Sequence, residues 1–263
     1  MSTRIPFEKL NNTRDLGGMI GADGRTIRPG RLIRSGHLYF ASPADLEKLS
    51  RTVGLVVDFR TERERAEKPD PFLPGAEYAH LPAVESLAAG VSRDAKSDAD
   101  AFAMAARHPD QAVRYMVNTY AGFVTSDYTL AQYRRFVRLL LEPRDKAALW
   151  HCTAGKDRAG FASVIVQRLL GVPDSAIRED YLATNTYLAE ECRMLTEMAG
   201  AQLGGLTPEV SEALDALFGA RDAYLDALYD AIDARFGGFD GFIEDGLGLS
   251  DADRARFREL YLV

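Results

Sequence analysis

The chain contains little cysteine and no long hydrophobic run. Its 263 residues include two cysteines, which cannot build a disulfide scaffold. No apolar stretch approaches the roughly 20 residues that a membrane-spanning helix needs, and residues 1–12 lack the apolar core of a secretory signal. We therefore expect a cytoplasmic protein without stable membrane insertion, with secretion without an N-terminal signal as the alternative.

The chain also has fewer positively charged than negatively charged side chains. The 32 lysines and arginines are outnumbered by 39 aspartates and glutamates, which gives a formal net charge of −7. This balance argues against a nucleic-acid backbone as the main partner. Hydrophobic residues make up 46% of the chain and charged residues 27%, which is ordinary for a globular protein with a sizeable core. We expect one domain over residues 1–263.

Two apolar runs predict buried strands. One is residues 53–57 (VGLVV) and the other is residues 147–150 (AALW). Ser42, followed by a proline, predicts the start of a helix, and the Asp-Gly pair at 23–24 predicts a β-hairpin. Apolar residues at helical spacing predict further helices at 111–124, 129–141, 159–170, 187–198, 207–218, 221–236 and 250–261.

Predicted strands and helices alternate along the chain. This order favours an α/β fold with a central parallel or mixed sheet flanked by helices. Residues 86–110 interrupt the alternation, because they are rich in alanine, serine and aspartate and poor in bulky apolar side chains. We expect this segment to form an exposed insertion, a partly helical arm or a lid.

The most informative segment is residues 151–160, which read HCTAGKDRAG at a predicted strand-to-helix junction. Within it, five residues separate Cys152 from Arg158. A short loop that leads into a helix N-terminus presents backbone N–H groups and the positive end of the helix dipole, which together suit a phosphate dianion. The same field favours the thiolate form of Cys152, which is the nucleophilic form.

The residues of this loop divide by predicted role. Cys152 is the nucleophile, and the planar guanidinium of Arg158 pairs with two phosphoryl oxygens. Asp157 is the general acid that protonates the leaving oxygen and later the base that activates water. Lys156 adds a second positive charge to the rim. The predicted phosphate-binding residues are Thr153, Ala154, Gly155, Lys156 and Arg158. Together they predict two-step phosphoryl transfer through a phosphocysteine, without a metal or another cofactor.

Residues 151–160 resemble the signature loop of protein tyrosine phosphatases, and in particular that of the PtpB-type bacterial tyrosine/serine phosphatase family, which reads HCxAGKDRTG. The resemblance spans about residues 12–180 and is thin in the C-terminal third. Its further segments are 12–18 (NTRDLGG), 28–36 (RPGRLIRSG) and 57–61 (VDFRT). It implies a tyrosine-phosphatase-like α/β fold with a helical lid insertion at about 86–128.

The same resemblance implies the chemistry of the site. It gives Cys152 the role of nucleophile, Arg158 that of phosphate clamp and Asp157 that of acid, within the signature loop rather than on a separate mobile loop. It implies activity on phosphotyrosine, sometimes extending to phosphoserine, phosphothreonine or phosphoinositides. The family loop has threonine where this chain has Ala159. Because that hydroxyl stabilises the departing thiolate, we expect breakdown of the phosphoenzyme to be slowed more than attack.

Other polar residues have less specific interpretations. His151 is predicted to support the loop through hydrogen bonds, and Cys192 is predicted to be a core or surface thiol. Asp58, at the end of a predicted strand, is the rival acid. The remaining histidines have no metal-ligand spacing, so we predict no metal site. Three arginines either line the phosphate cleft or form solvated ion pairs with neighbouring acids, namely Arg14, Arg34 and Arg60.

The sequence leaves three functional hypotheses. The first is a protein phosphatase for phosphotyrosine, with possible activity on phosphoserine, phosphothreonine or phosphoinositides. The second is a small-molecule phosphatase for an inositol phosphate or a nucleotide. The third, suggested by Ala159, is a weakly active phosphate-binding module. The expected partner is thus a phosphorylated protein or a small phosphomonoester, and the pattern makes no prediction about oligomeric state.

Overall fold

A computed structural model describes residues 2–84 and 101–263 of the chain. Within these ranges, six strands form one mixed sheet in the order β1-β2-β3-β6-β4-β5. The strands are β1 (Thr3–Arg4), β2 (Arg14–Asp15), β3 (Leu32–Ser35), β4 (Val53–Asp58), β5 (Glu77–His80) and β6 (Ala147–His151). Strands β3, β6, β4 and β5 are parallel, whereas β1 and β2 add antiparallel pairs at one edge. The predicted α/β class with a central mixed sheet is confirmed.

Helices cover both faces of the sheet. They are α1 (Pro43–Thr52), α2 (Glu62–Glu67), α3 (Pro109–Thr125), α4 (Asp127–Leu140), α5 (Arg158–Leu169), α6 (Asp174–Leu182), α7 (Thr184–Tyr187), α8 (Ala189–Gln202), α9 (Pro208–Phe218), α10 (Asp222–Phe236), α11 (Phe239–Gly241) and α12 (Asp251–Tyr261). Residues 101–105 are also helical, and Phe242–Gly246 forms a π-helical turn. Each predicted helix is present, with ends a few residues from the predicted ones. Among the described residues, no helix has both the length and the apolar character required to cross a bilayer.

The central strands are buried on both faces, as their apolar runs predict. In β6, Ala148 and Trp150 belong to one core cluster and Ala147 and Leu149 to another, because successive side chains of a strand point to opposite faces. The first cluster is the larger and includes side chains of α3, α4 and α5. The second lies on the α1 side and contains Leu49. The sheet is therefore fixed from both sides.

Side-chain caps fix several helix starts. The Ser42 side chain accepts from the Asp45 amide at the start of α1, and the Asp45 carboxylate accepts from the Ser42 amide, which is a complete capping box. Thr207 caps α9 in the same position relative to a proline. The helix starts predicted at Ser42 and Thr207 are confirmed.

The β-hairpin predicted around residues 23–24 is reduced to a single antiparallel bridge between Ile20 and Thr26. Between them, Ala22–Gly24 forms a 3₁₀ turn with Asp23 at a φ of 60°. The Ile27 amide donates back to the Met19 carbonyl at 2.9 Å, and Thr26 exchanges both of its backbone hydrogen bonds with Val263, each at 2.9 Å. The C-terminal residues thus pair with the other edge of this short segment.

The structure describes residues 101–128 of the predicted lid, and many of their side chains are buried rather than exposed. Helix α3 carries buried Met116, Tyr120 and Phe123, and it packs against α9 and α10. It is therefore a core helix of the larger cluster. The first part of the predicted lid, residues 86–100, lies outside the described residues.

The carboxyl ends of the four parallel strands lie side by side. His151 of β6 is in register with Ser35 of β3 and with Asp58 of β4, and Asp58 is in register with His80 of β5. The loops that follow these residues therefore emerge at one edge of the sheet, which is where ligands bind in open α/β sheets. The segment 152–157 follows the central strand of this group.

A buried carboxylate joins the antiparallel edge to α6. Asp180 lies 3.2 Å from Arg14 Nε and 2.7 Å from Arg34 Nη1, and these side chains are at most 1% exposed. Gln167 also donates to Asp180, at 3.1 Å. Burial alone would raise the pKa of Asp180, but Arg34 and Arg14 outweigh it and lower the pKa to about 2. Two strands and two helices thus share one ionised side chain.

We predict that Asp180→Ala destabilises the protein by about 3–5 kcal/mol, because it leaves two arginines buried without their carboxylate. Denaturation in urea at pH 7 measures this. The matched control is Asp226→Ala, which removes an exposed partner of Arg178 and should cost less than about 1 kcal/mol. Equal effects of the two substitutions would contradict the prediction.

The same carboxylate sets a pH dependence. Because the folded-state pKa of Asp180 is about 2, below its unfolded value, its contribution is present above a pH of about 4 and is lost as the pH falls towards 2. In Asp180→Asn this part of the acid destabilisation should be missing when unfolding free energies are compared between pH 5 and pH 2.

Candidate active site

The loop 152–157 runs from the end of β6 to the start of α5. Cys152 directly follows the strand and is 2% exposed, whereas Thr153 is exposed at the surface. Helix α5 begins at Arg158, so its N-terminal dipole acts on the loop and favours a negative charge there. The predicted strand-to-helix junction is present.

The carbonyl groups of the loop are bound by the surrounding scaffold. The Thr153 carbonyl accepts from the His37 amide at 3.1 Å, and the Ala154 carbonyl accepts from the Asn12 side chain at 2.8 Å. The Gly155 carbonyl accepts from Arg34 at 2.8 Å. Strand β3, the chain after it and the chain before β2 therefore hold three consecutive carbonyls away from the centre of the loop.

The amide groups of the loop are left for another partner. No N–H of residues 153–157 donates to a protein group in the part of the chain that the structure describes. Consecutive amides without an internal acceptor, beside a helix N-terminus, form an anion-binding nest. Together with Cys152 they define the feature that we call the pit, meaning residues 152–158.

Gly155 is required by two independent constraints. Its φ is +74°, in the region that residues with a Cβ rarely adopt. A Cβ at this position would also lie 2.5 Å from the Ser35 carbonyl oxygen and 2.6 Å from the Gly36 nitrogen. The loop therefore packs directly on the chain that leaves β3.

The guanidinium of Arg158 is held by Glu64 of α2. Nη1 donates to one Glu64 oxygen at 2.6 Å and Nη2 donates to the other at 2.8 Å, while Nη2 also reaches the Thr153 hydroxyl at 3.3 Å. Burial would raise the pKa of Glu64, but Arg158 and Thr153 outweigh it and lower the pKa to about 2. Glu64 is therefore ionised, and it fixes the plane of the Arg158 fork.

The sequence does not reveal this role of Glu64, which appears there only as one of the acids that neighbour Arg60. The available signal is the capping box of α2, in which Thr61 is the N-cap and Glu64 the third helical residue. That pattern predicts a helix start directly after β4, at the edge where the signature segment emerges. It cannot predict that the carboxylate also reaches Arg158.

Asp157 is oriented by two buried tyrosines. Its Oδ1 accepts from the Tyr120 hydroxyl at 2.7 Å, and the Tyr181 hydroxyl lies 2.7 Å from that of Tyr120. Since a phenol has one proton, Tyr120 donates to Asp157 and accepts from Tyr181. Burial raises the pKa of both tyrosines well above the usual value, so both stay protonated at neutral pH. Helices α3 and α6 thus set the position of the Asp157 carboxylate.

The ammonium group of Lys156 does not lie on the rim of the pit, where the sequence predicts it. It donates to the Leu217 carbonyl at 2.7 Å and to the Gly219 carbonyl at 3.0 Å, at the C-terminal end of α9. The side chain is 3% exposed and its Nζ lies 3.4 Å from Asp157 Oδ1. The prediction of a second charge on the rim is wrong for this side chain, because the carbonyls at a helix C-terminus bind the cation instead.

Beneath the pit, His151 joins a network of buried charges. Its Nε2 lies 2.9 Å from Asp70, and its Nδ1 lies 3.3 Å from the Cys152 carbonyl oxygen. The Arg60 guanidinium lies 2.8 Å from Asp58 and 2.9 Å from Asp70. This geometry fits the prediction that His151 supports the loop.

The same network includes a possible metal-ligand cluster and Asp58, the rival general acid. The ligand atoms of Asp58, Asp70 and His151 lie within 4.8 Å of one another, a spacing that could suit a metal ion. However, Arg60 already supplies the positive charge between the two carboxylates, so we assign no metal there. Asp58, the rival acid, accepts from the amide and from Nε of Arg60, both at 2.9 Å, and is 4% exposed. Its side chain is committed to Arg60.

The three arginines with open interpretations are neither cleft residues nor solvated. Arg14, Arg34 and Arg60 are each at most 1% exposed and are bound to buried carboxylates. Both cysteines are free, and the Cys192 thiol donates to the Phe218 carbonyl at 3.7 Å. Burial raises the pKa of Cys192, in keeping with a partly buried thiol.

Comparison with known proteins finds relatives that are all named as phosphatases. A protein of Cupriavidus necator named as a candidate tyrosine-protein phosphatase is 36% identical over 262 residues, covering 98% of this chain and 88% of the relative. The triple specificity protein phosphatase PtpB of Mycobacterium tuberculosis is 31% identical over 258 residues, covering 90% and 92%. A tyrosine-protein phosphatase of Nostoc commune is 25% identical over 253 residues, covering 96% and 74%.

The resemblance drawn from residues 151–160 is thus confirmed, and it continues through the C-terminal third. The sequence profile of the tyrosine phosphatase family matches residues 5–263. The chain therefore belongs to the tyrosine phosphatase family, whose members are phosphoric monoester hydrolases.

Proposed function

We propose that this chain hydrolyses phosphomonoesters in two steps through a phosphocysteine at Cys152, with phosphotyrosine in proteins as its principal substrate. The observation that carries the proposal is the pit: three consecutive loop carbonyls are bound by the scaffold, and the amides of residues 153–157 have no acceptor in the described chain. Such an arrangement suits a dianion that must be held beside a thiolate.

In the first step, the Cys152 thiolate attacks phosphorus and forms the S–P bond while the bond between phosphorus and the ester oxygen breaks. Asp157 donates its proton to that oxygen, so the leaving group departs as an alcohol or a phenol. The extra negative charge on the phosphoryl oxygens is met by the loop amides and by Arg158. The bonds from Arg158 to Glu64 and Thr153 use three of its five N–H groups, which leaves two for the phosphoryl group.

In the second step, water attacks phosphorus, the S–P bond breaks and Cys152 returns as a thiolate. Asp157 accepts the proton of the attacking water, because it lost its own proton in the first step. Its side chain is 29% exposed, so water can reach it, and Tyr120 holds it in one orientation through both steps. Tyr120 is a positioning residue in this scheme.

The substrate class follows from the family and from the relatives. Two relatives are named as tyrosine-protein phosphatases, which supports phosphotyrosine as the principal substrate. The Mycobacterium tuberculosis relative is named for triple specificity, which supports a wider range for this chain. Phosphoserine, phosphothreonine and phosphoinositides are the classes we propose to compare with phosphotyrosine.

The direct test of the function is Cys152→Ser. We expect the variant to lose hydrolysis of p-nitrophenyl phosphate and of a phosphotyrosine peptide by several orders of magnitude, because the thiolate is the nucleophile. Steady-state release of inorganic phosphate measures it. The matched control is Cys192→Ser, which should keep wild-type rates. Tight binding of phosphotyrosine by a wild-type protein that hydrolyses none of these substrates would replace the enzyme with a binding module.

A leaving-group series tests Asp157. In Asp157→Asn, kcat/KM should fall by about 10²–10⁴-fold for phenyl phosphate, whose leaving group needs a proton, and much less for substrates with acidic leaving groups. Asp145→Asn is the control, because Asp145 is exposed before β6, at the other end of that strand. If Asp157→Asn affects good and poor leaving groups equally, another group is the acid.

Ala159 predicts slow breakdown of the phosphoenzyme. We expect a rapid burst of about one p-nitrophenol per active site, followed by a slower steady state, in stopped-flow measurements. Ala159 is fully buried, so Ala159→Ser is the smallest substitution that restores a hydroxyl, and it should raise the steady-state rate. Linear release from the first turnover in the wild-type protein would show that breakdown is not limiting.

A further inference from the structure

The turn that follows β3 lies against the pit. The His37 amide donates to the Thr153 carbonyl at 3.1 Å. A Cβ at Gly36 would lie 3.3 Å from the carbonyl oxygens of both Thr153 and Ala154, so the backbones are in close contact. Thr153 is itself exposed. This turn therefore lies directly beside the pit, next to the exposed Thr153.

Three rings cluster on this turn, and we call His37, Tyr39 and Phe40 the aromatic ledge. The ring centroids of Tyr39 and Phe40 are 5.1 Å apart, and the His37 ring lies 5.2 Å from that of Phe40. Tyr39 remains 44% exposed and Phe40 57% exposed. Burial, with the nearby charges of Lys68 and Arg60, lowers the pKa of His37 to about 4, so the ledge is uncharged at neutral pH.

The backbone that carries the ledge is anchored at both ends. Leu38 is fully buried in the smaller core, and its amide donates to Asp70 at 3.2 Å. The Ala41 amide donates to the Leu38 carbonyl at 2.9 Å, and α1 begins two residues later with its capping box at Ser42. The two rings are thus held towards solvent by an ordered turn. Pre-organised aromatic side chains of this kind are typical anchors of binding surfaces.

A cation completes the surface. The Lys68 ammonium lies 5.3 Å from the centroid of the Phe40 ring, over its face. Lys68 forms no ion pair with a carboxylate in the described part of the chain. It follows α2, the helix that supplies Glu64 to Arg158. The ledge therefore offers an apolar surface and one available positive charge beside the pit.

We propose that the aromatic ledge is the docking surface for the polypeptide segment that flanks a phosphotyrosine, with an apolar side chain on Tyr39 and Phe40 and an acidic side chain at Lys68. The proposal rests on the proposed function, because it requires the phosphate to occupy the pit. It makes the substrate a protein rather than a small phosphomonoester, since a small ester held in the pit does not extend over the ledge. It also gives an otherwise acidic protein a local reason to accept an acidic peptide.

The test compares two phosphotyrosine peptides that differ only in their flanks. One carries leucine and glutamate on both sides of the phosphotyrosine, and the other carries glycine and serine. We expect the wild-type protein to favour the first peptide by about tenfold or more in kcat/KM, through KM. The double variant Tyr39→Ala/Phe40→Ala should lose this preference, and Lys68→Met should lose only the part that depends on glutamate. Both should hydrolyse p-nitrophenyl phosphate at the wild-type rate.

Phe72→Ala is the matched control, because Phe72 is 79% exposed and makes no ring contact within the described residues. Phe72→Ala should leave kcat/KM unchanged for both peptides and for p-nitrophenyl phosphate. Equal hydrolysis of the two peptides by the wild-type protein would overturn the proposal, as would an equal loss on p-nitrophenyl phosphate in the double variant. A loss confined to a phosphoinositide in lipid vesicles would assign the ledge to lipid instead. Failure of the proposed function is distinct, because Cys152-dependent hydrolysis of p-nitrophenyl phosphate would then be absent.

Discussion

The candidate site depends on one constraint. The carbonyls of the signature loop, residues 152–157, must point away from the centre of the loop and into the scaffold. A peptide unit that directs its carbonyl to the scaffold directs its amide the other way, so each bound carbonyl gives one amide to the pit. Thr153, Ala154 and Gly155 obtain these partners from the turn after β3, from the segment before β2 and from β3 itself. The antiparallel edge of the sheet, far from Cys152 in sequence, is therefore part of the candidate site.

Buried charges supply the rigidity that this arrangement requires. Asp180 binds Arg34, which in turn donates to the Gly155 carbonyl, and Arg60 binds Asp70, which lies against His151. Burying ion pairs carries a desolvation cost, so such networks are poor sources of net stability, but they have few alternative geometries. We interpret them as the means by which α6 and the loop after β4 fix the backbone around Cys152.

The positive potential at the pit comes from groups within it, not from the net charge of the protein. The chain has a net charge of −7, yet the groups that face the pit are amides, a helix N-terminus and Arg158. Lys156 does not contribute its ammonium group to the entrance, because helix α9 binds it. The positive field thus comes mainly from oriented backbone dipoles and one oriented guanidinium, which act over short distances. A net negative charge on the rest of the chain suits a substrate that carries few phosphates.

The sequence by itself determined the α/β class and the strand–loop–helix order around residues 151–160, and it predicted the roles of Cys152 and Arg158. These are local matters, because apolar runs, caps and loop spacing involve residues close together in the chain. Only the tertiary structure decided which partner each charged side chain takes. Glu64 reaches Arg158 across 94 positions, Arg14 and Arg34 are buried on Asp180, and α3 brings Tyr120 to Asp157. Such pairings depend on sheet order and helix packing, which no local pattern encodes.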